Sequence, residues 1–290
     1  MEAWRDGGWP NGSNRFAVPI GRFQSGVLRV LAAQRSPDSY IAGGIAINRQ
    51  GPRFSRGIDI FHDSVARLDS AVNADEAVLA AAGYAVTWPP HQRTEKREAS
   101  IEKDGEQMQL EWVVDSAFRF FSTQPDELFG YVLHPVDLAT NKASAAADRR
   151  VPRDIVDLVT IHESVLPLGA VVAAACGEFI GTTPEEMLAE ITRHSQFTAE
   201  EFRVLATEQP IDARGLHCQI RGMIEAAAAF IARLPSDAVG VVFMEGGKAV
   251  QPDLSALEMY QRNPGAPKGL WPSSPDISHS MLERCGKLDC

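Results

Sequence analysis

The stretch YIAGGIAINRQGPRFSRGIDIFHD, residues 40–63, decides how the rest of the chain is read. Tyr40, Ile41 and Ala42 form a short apolar run that stops at Gly43-Gly44, where paired glycines let the backbone turn sharply and approach a ligand without a Cβ in the way. A turn of this kind feeding a helix presents free N–H groups suited to phosphate. After the polar break at residues 49–52, the alternation in Gly57-Ile58-Asp59-Ile60-Phe61 is that of a strand. Ile58 and Ile60 fall on one face, and positions 57 and 59 on the other.

Downstream, residues 65–82 carry Val65, Leu68, Val72, Val78 and Leu79 at helical spacing up to Gly83. Residues 84–88 read as a strand stopped by Pro89-Pro90, and the charged residues 91–100 as a loop or the start of an edge strand. The turn Asp104-Gly105 joins two arms of a hairpin. Its second arm puts Met108, Leu110, Trp112 and Val114 on one face, with Gln109, Glu111 and Val113 on the other. Glu111 is therefore a carboxylate on a strand with an apolar reverse side. In residues 136–161, Leu138, Ala139, Lys142 and Ala146 recur at helical spacing, which sets Lys142 near a packed face. Arg153, Asp154 and Asp157 open a further helix after Pro152.

A glycine turn followed by Asp-x-Asp on a strand is the core motif of the DNA polymerase beta-like nucleotidyltransferase superfamily, and residues 40–63 resemble it. The Lys142 helix followed by Arg-Asp-x-x-Asp-Leu resembles the later motifs of the AbiEii/AbiGii toxin family within that superfamily. The resemblance implies an α+β fold, a nucleotidyltransferase-like mixed sheet with flanking helices followed by a mainly helical region. It also implies transfer of a nucleoside monophosphate from an NTP to an acceptor hydroxyl, on a tRNA end or a protein, with Mg²⁺ or Mn²⁺ as cofactor and an antitoxin as partner. Gly43, Gly44, Ser55 and Lys142 would bind the nucleotide, Asp59 and Glu111 the metal, and Asp154 would act as base or orient the acceptor. Glu111 fits the third-carboxylate place better than Asp115. The first Asp of the motif is Gly57 here, and Asp63 is a candidate to compensate. Two expectations follow: an Asp at 57 would sit beside Asp59 and raise activity without harm to folding, and Lys142→Ala would weaken NTP binding without unfolding the chain. The alternative is a module of the same fold that binds nucleotide but has lost catalysis.

The chain has 290 residues and a formal charge of −10. Residues 1–135 carry 14 basic and 17 acidic residues, and the remainder 14 and 21. Bulk charge thus excludes nonspecific nucleic-acid binding, though not a local basic patch. Three segments are expected: a nucleotidyltransferase-like domain over 1–135, a mainly helical domain over 136–263 completing the cleft, and an extended tail over 264–290. Residues 1–18 read as an irregular lead-in. With neither a signal peptide nor an apolar run of about 20 residues, the expectation is a cytoplasmic protein with no membrane segment. Cys176, Cys218, Cys285 and Cys290 show no CxxC spacing and are read as reduced thiols. Capping boxes at Thr183 and Thr198 mark two helix starts, residues 216–234 form another helix, and Gly246-Gly247 makes a turn after a short strand. His194 and His217 are given no role.

Overall fold

A computed structural model describes residues 20–49, 51–178 and 181–269. The expected lead-in, most of the expected tail, Cys285 and Cys290 lie outside the described residues. The first half alternates helix and strand: α1 (Arg22–Leu31), β1 (Ser39–Ala42), α2 (Gly43–Ile47), β2 (Gly57–His62), α3 (Val65–Ala81), β3 (Ala85–Thr87), β4 (Lys96–Lys103) and β5 (Glu106–Val114). Three short strands follow, β6 (Phe118–Arg119), β7 (Gln124–Asp126) and β8 (Gly130–Val132). Helices then take over: α4 (Pro135–Asp148), α5 (Pro152–Ser164), α6 (Leu168–Ala175), α7 (Pro184–His194), α8 (Ala199–Arg203) and α9 (Ala213–Ile231). A small sheet of β9 (Val242–Glu245), β10 (Lys248–Val250) and β11 (Gln261–Asn263) precedes β12 (Ala266–Pro267), which pairs back onto β6.

Seven strands make the main sheet, in the order β3-β4-β5-β2-β1-β8-β7. It is mixed: β2 runs parallel to β5 and β1 parallel to β8, while the remaining neighbours are antiparallel. The alternation read in the sequence holds on β2, where Ile58, Ile60 and His62 are buried and Gly57, Asp59 and Phe61 half-buried. Met108, Leu110 and Trp112 are buried on β5 in the same way. This apolar face packs on α3, where the Trp112 indole donates to Asp75 Oδ2 at 2.7 Å and Asp75 also takes the buried Arg35. β4 begins at Lys96, so residues 96–100 of the charged stretch 91–100 are the start of a strand and those before it are not. Its hairpin with β5 turns on Asp104 and Gly105, both at positive φ, as a two-residue turn of this twist requires.

Local signals place the helices. Ser64 caps α3 by accepting from Arg67 N, and Gly83 at φ +80° ends the turn behind it. Pro135 and Pro152 occupy first-turn positions of α4 and α5, and both capping boxes form, Thr183 with Glu186 and Thr198 with Glu201. α6 is buried throughout. One apolar cluster spans the expected boundary at residue 135, joining Ile58 and Leu110 to Leu138, Ile155, Val171 and Phe230. The first residues of the expected tail are fastened to the body: β12 pairs with β6, and just before the tail Asn263 Nδ2 donates to Phe120 O at 2.6 Å. Among the described residues no single helix is long and apolar enough to cross a membrane. Cys176, buried, and Cys218, exposed, are free thiols.

One buried acid gives this fold a pH signature. Asp137 in the first turn of α4 accepts from Phe120 N at 2.6 Å and Phe121 N at 3.1 Å, yet burial pushes its carboxyl up to about 7. Between the ordinary value near 4 and about 7 the unfolded chain gives up this proton while the folded chain keeps it, so the group's contribution to stability falls as pH rises. Relative to Asp137→Asn, the wild type should therefore lose thermal stability steadily between about pH 4 and pH 7. Parallel melting curves for the two proteins would show no such divergence if the carboxyl titrates normally.

Candidate active site

β1 delivers the chain to Gly43, which sits at φ +68°. A Cβ there would overlap the Asp59 carboxylate, so only glycine lets Asp59 lie over the turn. Gly44 faces Arg53 and Ser55 in turn, where a Cβ would come within 2.6 Å of Arg53 Nη2. Ser55 Oγ donates to Gly57 O at 2.9 Å. All of these residues line a cleft of about 680 Å³, within the range that holds a small-molecule ligand.

The cleft floor is the polar face of the sheet. Asp59 is the register partner of Ala42 on one side and Glu111 on the other, and Glu111 is in turn the partner of Glu98 on β4. With neighbouring strands about 4.8 Å apart, three carboxylates stand in one row across β2, β5 and β4. Burial, reinforced by the charge of Glu111, raises the Asp59 carboxyl above its ordinary value, against the pull of Lys142, Arg153 and Lys96. Lys96 Nζ stands 2.7 Å from Glu111 Oε2 and 3.4 Å from Glu98 Oε2. Among the described residues no three carboxylate, His or Cys side chains enclose a metal position. The oxygen-only pair Asp59 and Glu111 nevertheless fits a hard divalent cation that keeps part of its water shell. Relief of the strain between two adjacent carboxylates would favour such binding.

The opposite wall comes from α4 and α5. Lys142 lines the cleft, but its Nζ is clamped 2.8 Å from Asp154 Oδ1 and 3.0 Å from Asp157 Oδ2. Removing it would leave two buried acids short of a partner, so the expectation that Lys142→Ala spares folding is corrected. Asp154 is fully buried behind the wall, bonded to Lys142 and to Arg149 Nε at 2.8 Å. Burial works to raise its carboxyl and is outweighed by Lys142 and Arg149, which hold it below the ordinary range. It lies outside the cleft lining and reaches the cleft only through those two cations. Asp157 ties the wall to the glycine turn, accepting from Arg53 Nε and Nη2, both at 2.9 Å, and from Asn48 at 2.7 Å. Asp63 does not compensate at the cleft, because it pairs with the buried Arg119.

Gly57 also departs from expectation. It stays out of the positive-φ region, but a Cβ on it would meet the Gln109 carbonyl of β5 at 2.7 Å. Backbone on a central strand cannot move aside cheaply. We therefore expect Gly57→Asp to cost about 1–3 kcal/mol, as overpacking does, and to bring no gain in activity. Chemical denaturation of the variant beside the wild type, with equal stability, would show the expectation mistaken.

Among the described residues six cations line the cleft, Arg53, Arg56, Lys96, Lys142, Arg149 and Arg153, against two acids, Asp59 and Glu111. Even counting Asp154 and Asp157 just behind the wall and Glu98 beside Glu111, these residues leave a balance of +1 within a chain of −10. Ile47, Phe54, Phe61, Leu138, Val204 and Leu205 supply apolar lining. Of the residues singled out in the sequence, Gly43, Gly44, Ser55, Asp59, Glu111 and Lys142 come together around this cleft; Glu98, Lys96, Arg149 and the Asp157 links were not named there.

Neither a protein-family profile nor a curated protein sequence matches the chain. Its fold is similar to that of the nucleotidyltransferase toxin MenT4 from Mycobacterium tuberculosis H37Rv, with a TM-score of 0.55 at 15% identity over 74% of this chain and 84% of that one. A crystal structure of a provisional nucleotidyltransferase from H. pylori aligns over 73% of this chain and 96% of that chain, with a TM-score of 0.42 at 12% identity. The chain thus has a nucleotidyltransferase-like fold, a mixed sheet flanked by helices with a helical C-terminal region.

Proposed function

We propose that the protein is a Mg²⁺-dependent nucleotidyltransferase that moves a nucleoside monophosphate from an NTP to an acceptor hydroxyl. The observation that carries this reading is the pairing of Asp59 with Glu111 on the floor of a cleft whose other charged lining residues, among those described, are cations. Asp59 and Glu111 would hold a divalent cation. When bound, that ion supplies charge neutralisation for the triphosphate and activation of the acceptor hydroxyl. Gly43 and Gly44 let the triphosphate approach the backbone beside Ser55. Lys142 and Arg53, fixed by Asp154 and Asp157, present positive charge to it without needing to reorganise. The apolar lining accommodates base and ribose.

The fold it shares with the nucleotidyltransferase toxin MenT4 supports a toxin-type role; a tRNA end or a protein as acceptor, an antitoxin as partner, membership of the AbiEii/AbiGii family and a cytoplasmic location are further parts of the same proposal. The local positive balance suits a phosphate-rich acceptor at the cleft mouth even though the chain is acidic. The test is to incubate the protein with each α-labelled NTP, Mg²⁺, and total tRNA or cell extract, and to locate the label. Label on an acceptor, lost with chelator, supports the reading, and none with any NTP overturns it. A second reading, a nucleotide-binding module, draws on Gly57, which leaves β2 without a second carboxylate on the cleft face beside Asp59. NTP bound equally well in chelator would favour it.

A further inference from the structure

Lys96 enters the cleft from β4 on the same face as Glu98, because the hairpin register sets Lys96 opposite Val113 and Glu98 opposite Glu111. Its ammonium bridges Glu111 and Glu98, at 2.7 and 3.4 Å. Unlike Lys142, whose partners lie behind the wall, Lys96 stands on the floor with about a third of its side chain exposed.

Charge decides what such an ammonium can do. Among the row of Asp59, Glu111 and Glu98, Lys96 is the cation that stands on the floor itself, while Lys142 and Arg153 act on Asp59 from the opposite wall. A second ion near Asp59 would need a further carboxylate, and position 57 has none and no room for one. We propose that the Lys96 ammonium is a built-in second cation of this site, contacting the triphosphate directly beside a single divalent ion held by Asp59 and Glu111. Its place between two carboxylates keeps it on the floor, where a flexible surface lysine would pay rotamer entropy to stay. The charge is thus preorganised at the point where phosphate charge arrives.

This inference rests on the nucleotidyltransferase reading, and its test separates the two. Mn²⁺ bound to wild type, Lys96→Met and Lys96→Arg is counted by electron paramagnetic resonance, with and without each nonhydrolysable NTP analogue. Calorimetry gives the analogue's affinity, and melting curves confirm that each variant folds. Wild type should bind one Mn²⁺ per chain with the analogue. Lys96→Met should bind Mn²⁺ roughly tenfold more tightly without nucleotide, since a neighbouring positive charge is gone. The same variant should bind the analogue roughly tenfold or more weakly, and Lys96→Arg should restore it. A purely structural lysine would not move these affinities in opposite directions. Should Lys96→Met fail to fold, Lys96→Gln takes its place under the same expectations. Two Mn²⁺ in wild type, or unchanged analogue affinity in Lys96→Met, overturns the inference and leaves the nucleotidyltransferase reading standing. Analogue bound with no Mn²⁺ overturns both.

Discussion

Asp59→Asn should lower nucleotidyl transfer by about 10³-fold or more while leaving the protein as stable as the wild type, or more so. The activity loss follows from removing one of the two carboxylates proposed to hold the divalent cation, since several kcal/mol of transition-state stabilisation is worth at least three orders of magnitude. Stability moves the other way because the folded protein disfavours the charge it needs. Burial and Glu111 raise the Asp59 carboxyl, so ionising it near neutral pH costs folding free energy that an amide does not incur. The amide also keeps the shape that lies over Gly43. Label transfer and thermal melting on the same preparation test both halves together. Retained transfer would remove Asp59 from the site, and a lower melting point would mean that the carboxylate is structural.

Such an opposition between activity and stability would locate the site more sharply than composition does, since strained negative charge is what a bound cation relieves. Much of it could be read from residues 40–63, because a strand has a period of two and a residue's face follows from its neighbours. Asp59, Glu111 and the buried sides of β2 and β5 were legible on that basis. Glu98 was also within reach. A two-residue turn at Asp104-Gly105 pairs 103 with 106 and so 98 with 111, but a charged edge strand looks like any solvated face until it is paired. The role of Asp157 was out of reach for another reason. Its partner Arg53 lies 104 residues away, and an ion pair between distant elements leaves no periodic trace. Gly57 was misjudged because the obstacle to a side chain is backbone on another strand.

Asp157→Ala should be the most destabilising single change in the cleft wall. Asp157 is fully buried, and its two oxygens receive Arg53 twice, Asn48 and Lys142. Alanine removes the acceptors and leaves Arg53, itself almost entirely buried, with no carboxylate, while Lys142 keeps Asp154 alone. Breaking one side of a buried ion pair costs about 3–5 kcal/mol, a large fraction of the roughly 5–15 kcal/mol that holds a domain folded. For a chain of this size that corresponds to a melting point lower by roughly 6–20 °C. The exposed pair Arg203–Glu200, with both side chains about 70% accessible, provides the contrast, since Glu200→Ala should change stability by less than about 1 kcal/mol. Asp157→Asn should fall between, because the amide keeps the volume and accepts one bond but returns no charge to Arg53. Loosening Arg53 and Lys142 should also weaken NTP binding under conditions where the variant is still folded, since both line the cleft. Should Asp157→Ala melt within about 2 °C of wild type, the Asp157 network would not be what joins α5 to the glycine turn.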